Sequence, residues 1–398
     1  MVDSYSKSIS APKKVLFVLL TIFILLVIVE TFLRIAGIEG RRESPFFLLL
    51  RVHEYPEYFR RHPTLFWEFV PNKTISGDFI AKGEYHINSH GFRGEEFDAD
   101  KPKDQVRICC IGNSCTFGWE IPKGGTYSER LEDHLRSSYL DKNIEVINCG
   151  VPGYTSHQGL ILLKEKILDY DPDIITLSFG WNDMWGAGRG LSDQEIKVLS
   201  PFVIWLQNNL AKLATYRLVK YLILEVTEKE GLSGFDVENP TYRVTLNEYR
   251  QNLMEIRKIA LENGITPVFL TSPAPQSSVY LGEGRRTQLE RIFMIHEEYN
   301  KVIRDLQQEN QFLMVPLATF FQNQAGFFDP ELKDYIHYNE RGHAYVAELI
   351  ARYIKRYNLI EKTNNQQGNS SSNLHRDLRN LRRGLLTQHI ISDIHNER

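Results

Sequence analysis

From Val106 onward the chain repeats one texture, and that texture limits the fold more than any other feature. Short apolar runs recur at Arg107–Ile111, Ile144–Asn148, Ile174–Phe179, Thr266–Thr271 and Phe312–Leu317, each bounded by turn residues. Between them lie stretches with apolar residues at helical spacing: Tyr127–Leu140, His157–Leu168 and Tyr242–Leu261. Short, nearly continuous apolar runs are the pattern of strands buried on both faces. Their alternation with helices predicts an α/β fold, a parallel sheet with crossover helices on each side. Ligands of such sheets bind beyond the carboxyl ends of the strands, so chemistry is sought in the loop after each strand.

Composition narrows the function classes. A chain of 398 residues suggests two or three domains, or one enlarged domain with attachments. With 47 Lys+Arg against 50 Asp+Glu the formal charge is -3, which argues against a nucleic-acid partner, since those usually meet a basic excess. The four cysteines, Cys109, Cys110, Cys115 and Cys149, are too few for a disulfide scaffold, and none forms a C-x-x-C pair. No H-E-x-x-H occurs and His337 and His343 lack a third ligand at metal spacing, so neither a metal nor a cofactor is expected. The glycine-rich Gly186–Gly190 lacks both G-x-G-x-x-G and a P-loop lysine.

The segments outside the α/β pattern are read as attachments. After a short tail (1–14) with Lys7, Lys13 and Lys14, Val15–Val29 is apolar but for Thr21 and has no polar face. Residues 15–36 are expected to be a transmembrane signal anchor, with the flanking lysines and Arg34 supplying length by snorkelling. A cleaved signal peptide shares the pattern, although Ile35-Ala36-Gly37 is a poor cleavage site. The bulk of the chain is expected outside the cytoplasm. Residues 37–105, punctuated by Pro45, Pro56, Pro63, Pro71 and Pro102, read as an extension packing on the main domain, with short strands around Asp78–Asn88. The interval 184–240 is a helical insertion carrying Phe202–Leu213 and Tyr216–Val226. It reads as a lid over the site, as a hairpin completing the core, or as an interface with the membrane. Residues 359–398 read as a polar linker and a basic tail, in which Leu374, Leu378, Leu381 and Leu385 share one helical face.

Four loops carry candidate chemistry. After the first strand comes Gly112-Asn113-Ser114-Cys115-Thr116, where Ser114 is either a helix cap or a nucleophile; Thr116 excludes the G-x-S-x-G elbow. After the second, Pro152-Gly153-Tyr154 makes a tight turn able to expose a backbone N–H. After the third, Gly180-Trp181-Asn182-Asp183 offers an amide donor or a cap. Near the end, Asp334 precedes His337 by three residues, close enough to hold the imidazole in the tautomer that accepts a proton.

Together and in this order, these blocks resemble the SGNH hydrolases, also called the GDSL esterase/lipase family. The match runs from about Val106 to Tyr357 and includes His343, and Asn88–Gly94 (NSHGFRG) is similar to a segment of membrane-anchored bacterial members. The resemblance implies a three-layer αβα sandwich of flavodoxin-like type with a five-stranded parallel sheet, over 106–358. It implies Ser114 as nucleophile, His337 as general base and Asp334 as its orienting acid. It also implies an oxyanion hole from the N–H groups of Ser114 and Gly153 and the amide of Asn182. The family usually carries Asp where this chain has Asn113, a loss of charge beside the nucleophile that can alter the turn. Cys115 is read as packing. The reaction expected is hydrolysis of an O-acyl, short-chain ester such as acetyl at the cell envelope. The substrate is a small acyl ester or an O-acylated glycan, in a pocket lined by the 184–240 insertion. An O-acyltransferase on a surface glycan uses the same residues, and a non-catalytic carbohydrate- or partner-binding relative is the remaining alternative.

Overall fold

The computed structural model describes residues 10–38, 55–76, 84–187, 190–227, 241–275, 286–322, 326–329 and 334–361. The linker at 364–373, the tail beyond it, Lys7 and Gly188-Arg189 lie outside the described residues, as does part of the Asp78–Asn88 stretch.

An apolar helix comes first, α1 (Ala11–Ile35). Two antiparallel hairpins come next: β1 (Phe59–His62) with β2 (Phe66–Phe69), and β3 (Lys73–Ile75) with β4 (Tyr85–Ile87). The alternating region then runs β5 (Gln105–Gly112), α2 (Ser114–Phe117), α3 (Tyr127–Ser138), β6 (Asn143–Gly150), α4 (Ser156–Glu165) and β7 (Ile174–Ser178). The insertion contributes α5 (Pro201–Leu210) and α6 (Ala214–Thr227). The remaining elements are α7 (Leu246–Glu262), β8 (Thr266–Leu270), α8 (Arg286–Asn310), β9 (Leu313–Val315), α9 (Leu317–Gln322) and α10 (Glu340–Arg356).

The five later strands form one parallel sheet in the order β6-β5-β7-β8-β9. Every residue of β5 and β7 is buried, which is why both read as apolar runs rather than alternating ones. Helices α3 and α10 pack on one face, and α4, α7 and α8 on the other, giving the three-layer αβα sandwich. This strand order reverses direction between β5 and β7, so the crevice beyond their carboxyl ends is the binding position of the fold.

Local sequence sets the helix starts. Thr126, Thr155 and Thr245 each form a capping box, with Glu129, Gln158 and Glu248 respectively. Backbone pairing explains where the expected elements shift. Tyr242–Leu261 is helical only from Leu246, because the backbone of Arg243 and Val244 instead donates to the carbonyls of Trp185 and Asp183. The run Phe312–Leu317 holds a strand only over Leu313–Val315, since Pro316 cannot extend the ladder and Leu317 opens α9.

The hairpins share the core of the sandwich: Phe59, Leu65, Trp67, Phe69, Tyr85, Ile87 and Phe92 are buried with the residues of β5 and β6. Arg93 forms a bridge to Asn148 on the edge strand β6, and its guanidinium donates to the carbonyls of Phe117, Gly118 and Ile121. It thereby holds the end of α2 in place. In the insertion, the Asn208 amide pairs with both backbone groups of Arg61 on β1, and α6 packs on α1.

Candidate active site

Gly112 closes β5 where only glycine fits: a Cβ there would lie 2.1 Å from Thr116 Oγ1 and 2.8 Å from the carbonyl of Ser178. Asn113 then caps the short helix α2, its side-chain oxygen accepting the Cys115 N–H at 2.9 Å. Ser114 is the first helical residue, so its own N–H has no intrahelical acceptor. The cap needs only an oxygen, which Asp and Asn both supply, so the turn stands without the family carboxylate. The cost of asparagine is local: its Nδ2 is buried with no partner among the described residues.

Asp334 and His337 come to Ser114 from the far end of the chain. One Asp334 oxygen accepts the backbone N–H groups of Ile336 and His337 at 2.9 and 3.0 Å, which curls the segment. The other oxygen lies 2.6 Å from His337 Nδ1, and His337 Nε2 lies 2.7 Å from Ser114 Oγ. Burial works to raise the Asp334 pKa, but the His337 charge and the hydrogen bonds from His337 and Ile336 outweigh it and hold the carboxyl below its ordinary range. Trp119 stacks on the His337 ring with centroids 5.9 Å apart. A carboxylate, an imidazole and a hydroxyl thus form one continuous hydrogen-bonded line.

The loop after β6 is clamped at three successive carbonyls. Trp67 Nε1 donates to Pro152, Arg243 Nη1 to Gly153 and Asn182 Nδ2 to Tyr154, at 3.2, 2.8 and 3.1 Å. Gly153 has φ +83°, a left-handed conformation that side chains resist. Asn182 comes after β7, and its amide keeps a second N–H uncommitted among the described residues. Its neighbour Asp183 accepts the N–H groups of Ser156 and Gly180 at 2.8 and 2.9 Å. Burial pushes Asp183 up to about 6 against those hydrogen bonds and the Arg243 charge.

Of the residues in the four candidate loops, His337 contacts both Asp334 and Ser114, and Gly153 and Asn182 sit just past the carboxyl ends of the strands flanking β5. Two further conspicuous residues are occupied elsewhere. Cys115 is buried and points its thiol at the Ile336 carbonyl, 3.5 Å away; burial pushes that thiol up, as expected of packing. His343 is buried and takes the Tyr127 N–H on Nδ1 at 3.0 Å, and burial holds it well below the ordinary histidine range. Trp67, Trp119 and the buried ion pair of Arg243 with Asp193 (2.8 Å) were not legible in the sequence. Only Trp119, an aromatic just past the serine turn, carried any local signal.

The cleft beside the triad, about 460 Å³, is lined by residues 119–122, 329, 334 and 337–341, including Trp119, Ile121, Asp334, His337 and Tyr338. None of the described residues of 184–240 lines it, contrary to expectation. Helices α5 and α6 pack instead on β1 and α1.

A sequence model of the GDSL-like Lipase/Acylhydrolase family matches residues 110–345. The chain belongs to this family. Its hydrolase domain has as structural relatives the lipase/acylhydrolase from Enterococcus faecalis, at 19% identity over 63% of this chain and 96% of that one, TM-score 0.39. Another is Axe2, an acetylxylan esterase from Geobacillus stearothermophilus, at 17% identity over 64% of this chain and 96% of that one, TM-score 0.39. Among curated proteins, the uncharacterized protein YpmR of Bacillus subtilis (strain 168) is 32% identical over 87 residues, which span 21% of this chain and 34% of that protein.

Proposed function

We propose that this GDSL-family chain is a serine esterase that hydrolyses a short-chain O-acyl ester, such as an acetyl ester, at the cell envelope. The observation that carries the reading is the unbroken line from Asp334 through His337 to Ser114 Oγ. Ser114 Oγ attacks the acyl carbonyl while His337 Nε2 takes its proton. Asp334, held ionised by its hydrogen bonds, stabilises the imidazolium and fixes the ring. The tetrahedral oxyanion is met by the N–H groups of Ser114 and Gly153 and the free N–H of Asn182. Collapse breaks the C–O bond to the leaving alcohol, which receives the proton from His337. Water, deprotonated by the same imidazole, then releases the acid and restores the serine.

Two features bear on substrate and place. Among the described residues of the cleft, Glu120, Asp329, Asp334 and Glu340 face Arg341 as the one Lys or Arg, which supports a neutral ester over an anionic one. Helix α1 is 25 residues long and contains an 18-residue stretch of mean hydropathy 2.9 with no buried residue, which supports a bilayer span. The test is labelling of the full-length chain by a fluorophosphonate, with a parallel panel of p-nitrophenyl esters of graded length. Labelling confined to Ser114, with turnover highest on the acetyl ester, is expected. An unlabelled Ser114 overturns the serine mechanism, and a maximum on long acyl chains overturns the substrate class.

A further inference from the structure

A second cleft, about 750 Å³ and larger than the one beside the triad, lies where the foot of α1 meets the β1 hairpin and the α5–α6 pair. Among the described residues, seven Lys and Arg line it, including Arg61, Lys73, Lys212, Arg217 and Lys220, against the carboxylate Glu57; two of the seven, Arg34 and Arg60, are paired with Glu30 and Glu68 behind them. On a chain of net charge -3 such a concentration is local, not a reflection of composition.

We propose that this basic cleft binds the phosphate headgroup of an anionic phospholipid, and that the α5–α6 insertion seats the hydrolase domain on the bilayer surface. This rests on α1 being a membrane span. Three observations support it independently of the active site.

Depth comes first. Arg34 lines the cleft and is the penultimate residue of the apolar helix, so a cleft it borders opens at the level of headgroups when α1 spans. Secondly, the insertion is clipped to that helix. The Glu30 carboxylate accepts the N–H groups of Ala214 and Thr215 at 3.0 and 2.9 Å and the Thr215 hydroxyl at 2.8 Å, capping α6. Arg34 donates both to Glu30 and to the Lys212 carbonyl, at 2.7 and 2.9 Å. The hairpin therefore cannot move away from the membrane without breaking these bonds.

Thirdly, the insertion exposes apolar side chains that the hydrolase domain leaves uncovered. On α5, Phe202 and Trp205 stack at 6.0 Å and are exposed by 66% and 60%. On α6, Val219, Leu222 and Ile223 are exposed at helical spacing, and α6 packs directly on α1. An apolar face continuous with a membrane span, carrying a tryptophan and rimmed by cations, fits the interfacial region of a bilayer. It also accounts for helices α5 and α6 standing apart from the triad cleft.

The test uses the full-length chain in phosphatidylcholine nanodiscs, with or without phosphatidylglycerol, and the Lys73→Gln/Lys212→Gln/Lys220→Gln variant. Native mass spectrometry after release is expected to show phosphatidylglycerol retained in preference to phosphatidylcholine. The triple Gln variant should lose about tenfold or more of that preference, and Lys73→Arg/Lys212→Arg/Lys220→Arg should keep it. Equal retention of the two lipids, or a Gln variant with full preference, overturns the proposal. Displacement of the lipid by millimolar inorganic phosphate also overturns it, marking a site for a soluble anion. Carbonate extraction distinguishes failure of the cleft from failure of the span. A chain that stays in the pellet without headgroup preference removes the cleft assignment alone. A chain released to the supernatant removes the span, and the cleft assignment with it.

Discussion

The indole N–H of Trp67 donates to the carbonyl of Pro152 at 3.2 Å, and this bond sets the direction of the next N–H in the chain. In a trans peptide the carbonyl of Pro152 and the N–H of Gly153 point in opposite directions. Fixing the one fixes the other. Tyr154 returns the contact by donating its hydroxyl to the Trp67 carbonyl at 2.6 Å. A strand of the N-terminal extension thus orients a proposed oxyanion donor of the hydrolase domain.

Trp67→Phe removes this hydrogen bond and keeps most of the ring packing. Loosening a donor costs less than deleting it, so kcat on p-nitrophenyl acetate should fall by about tenfold, with KM little changed. Steady-state kinetics that show a raised KM at constant kcat would assign Trp67 to substrate binding instead.

Ser114→Ala and His337→Ala should each lower kcat by about 10⁴-fold or more, because either breaks the proton path. Asn182→Ala should cost about 10²–10³-fold, the usual loss for one oxyanion donor. The ordering of these three variants, measured under one set of conditions, checks the role of each.

Cys115→Ala should leave most activity. The thiol is buried and pushed up by that burial, so little thiolate exists to attack or be alkylated. Native protein treated with a thiol reagent should keep its turnover, whereas loss of activity on modification would place the sulfur in the chemistry.

Asp183 predicts a pH dependence of stability. Its folded pKa, up to about 6, exceeds the ordinary carboxylate value, so the folded state binds the extra proton. Stability from this group is therefore greatest below about pH 4 and declines as pH rises toward 6, by on the order of 3 kcal/mol. Asp183→Asn should flatten that segment of a urea-midpoint profile. It should also lower stability at every pH, since the amide turns a donor toward one of the two N–H groups that Asp183 accepts.

Arg243→Ala should destabilise the fold by about 3–5 kcal/mol, leaving the buried Asp193 carboxylate without its partner. Urea unfolding of the wild type, Arg243→Ala, Asp193→Ala and the double variant measures the coupling, which should exceed about 1 kcal/mol.

Short-range rules account for the parts of this protein that are plain in its sequence. Buried strands of a parallel sheet are continuous apolar runs, so β5 and β7 are readable, and Thr-x-x-Glu or Thr-x-x-Gln marks the helix starts. The turn residues after those strands, together with Asp334 and His337 three apart, mark the candidate site because their geometry is local. Contacts across the fold settle the remainder. The Trp67–Pro152 contact, the Arg243–Asp193 pair and the Asn208 clasp on Arg61 join residues 85, 50 and 147 positions apart. No periodicity encodes a partner at such separations, since a buried donor is satisfied by whatever acceptor the fold brings to it. The insertion meets the same limit. Its amphipathic spacing is visible in the sequence, but where it packs is set by Glu30 reaching the start of α6.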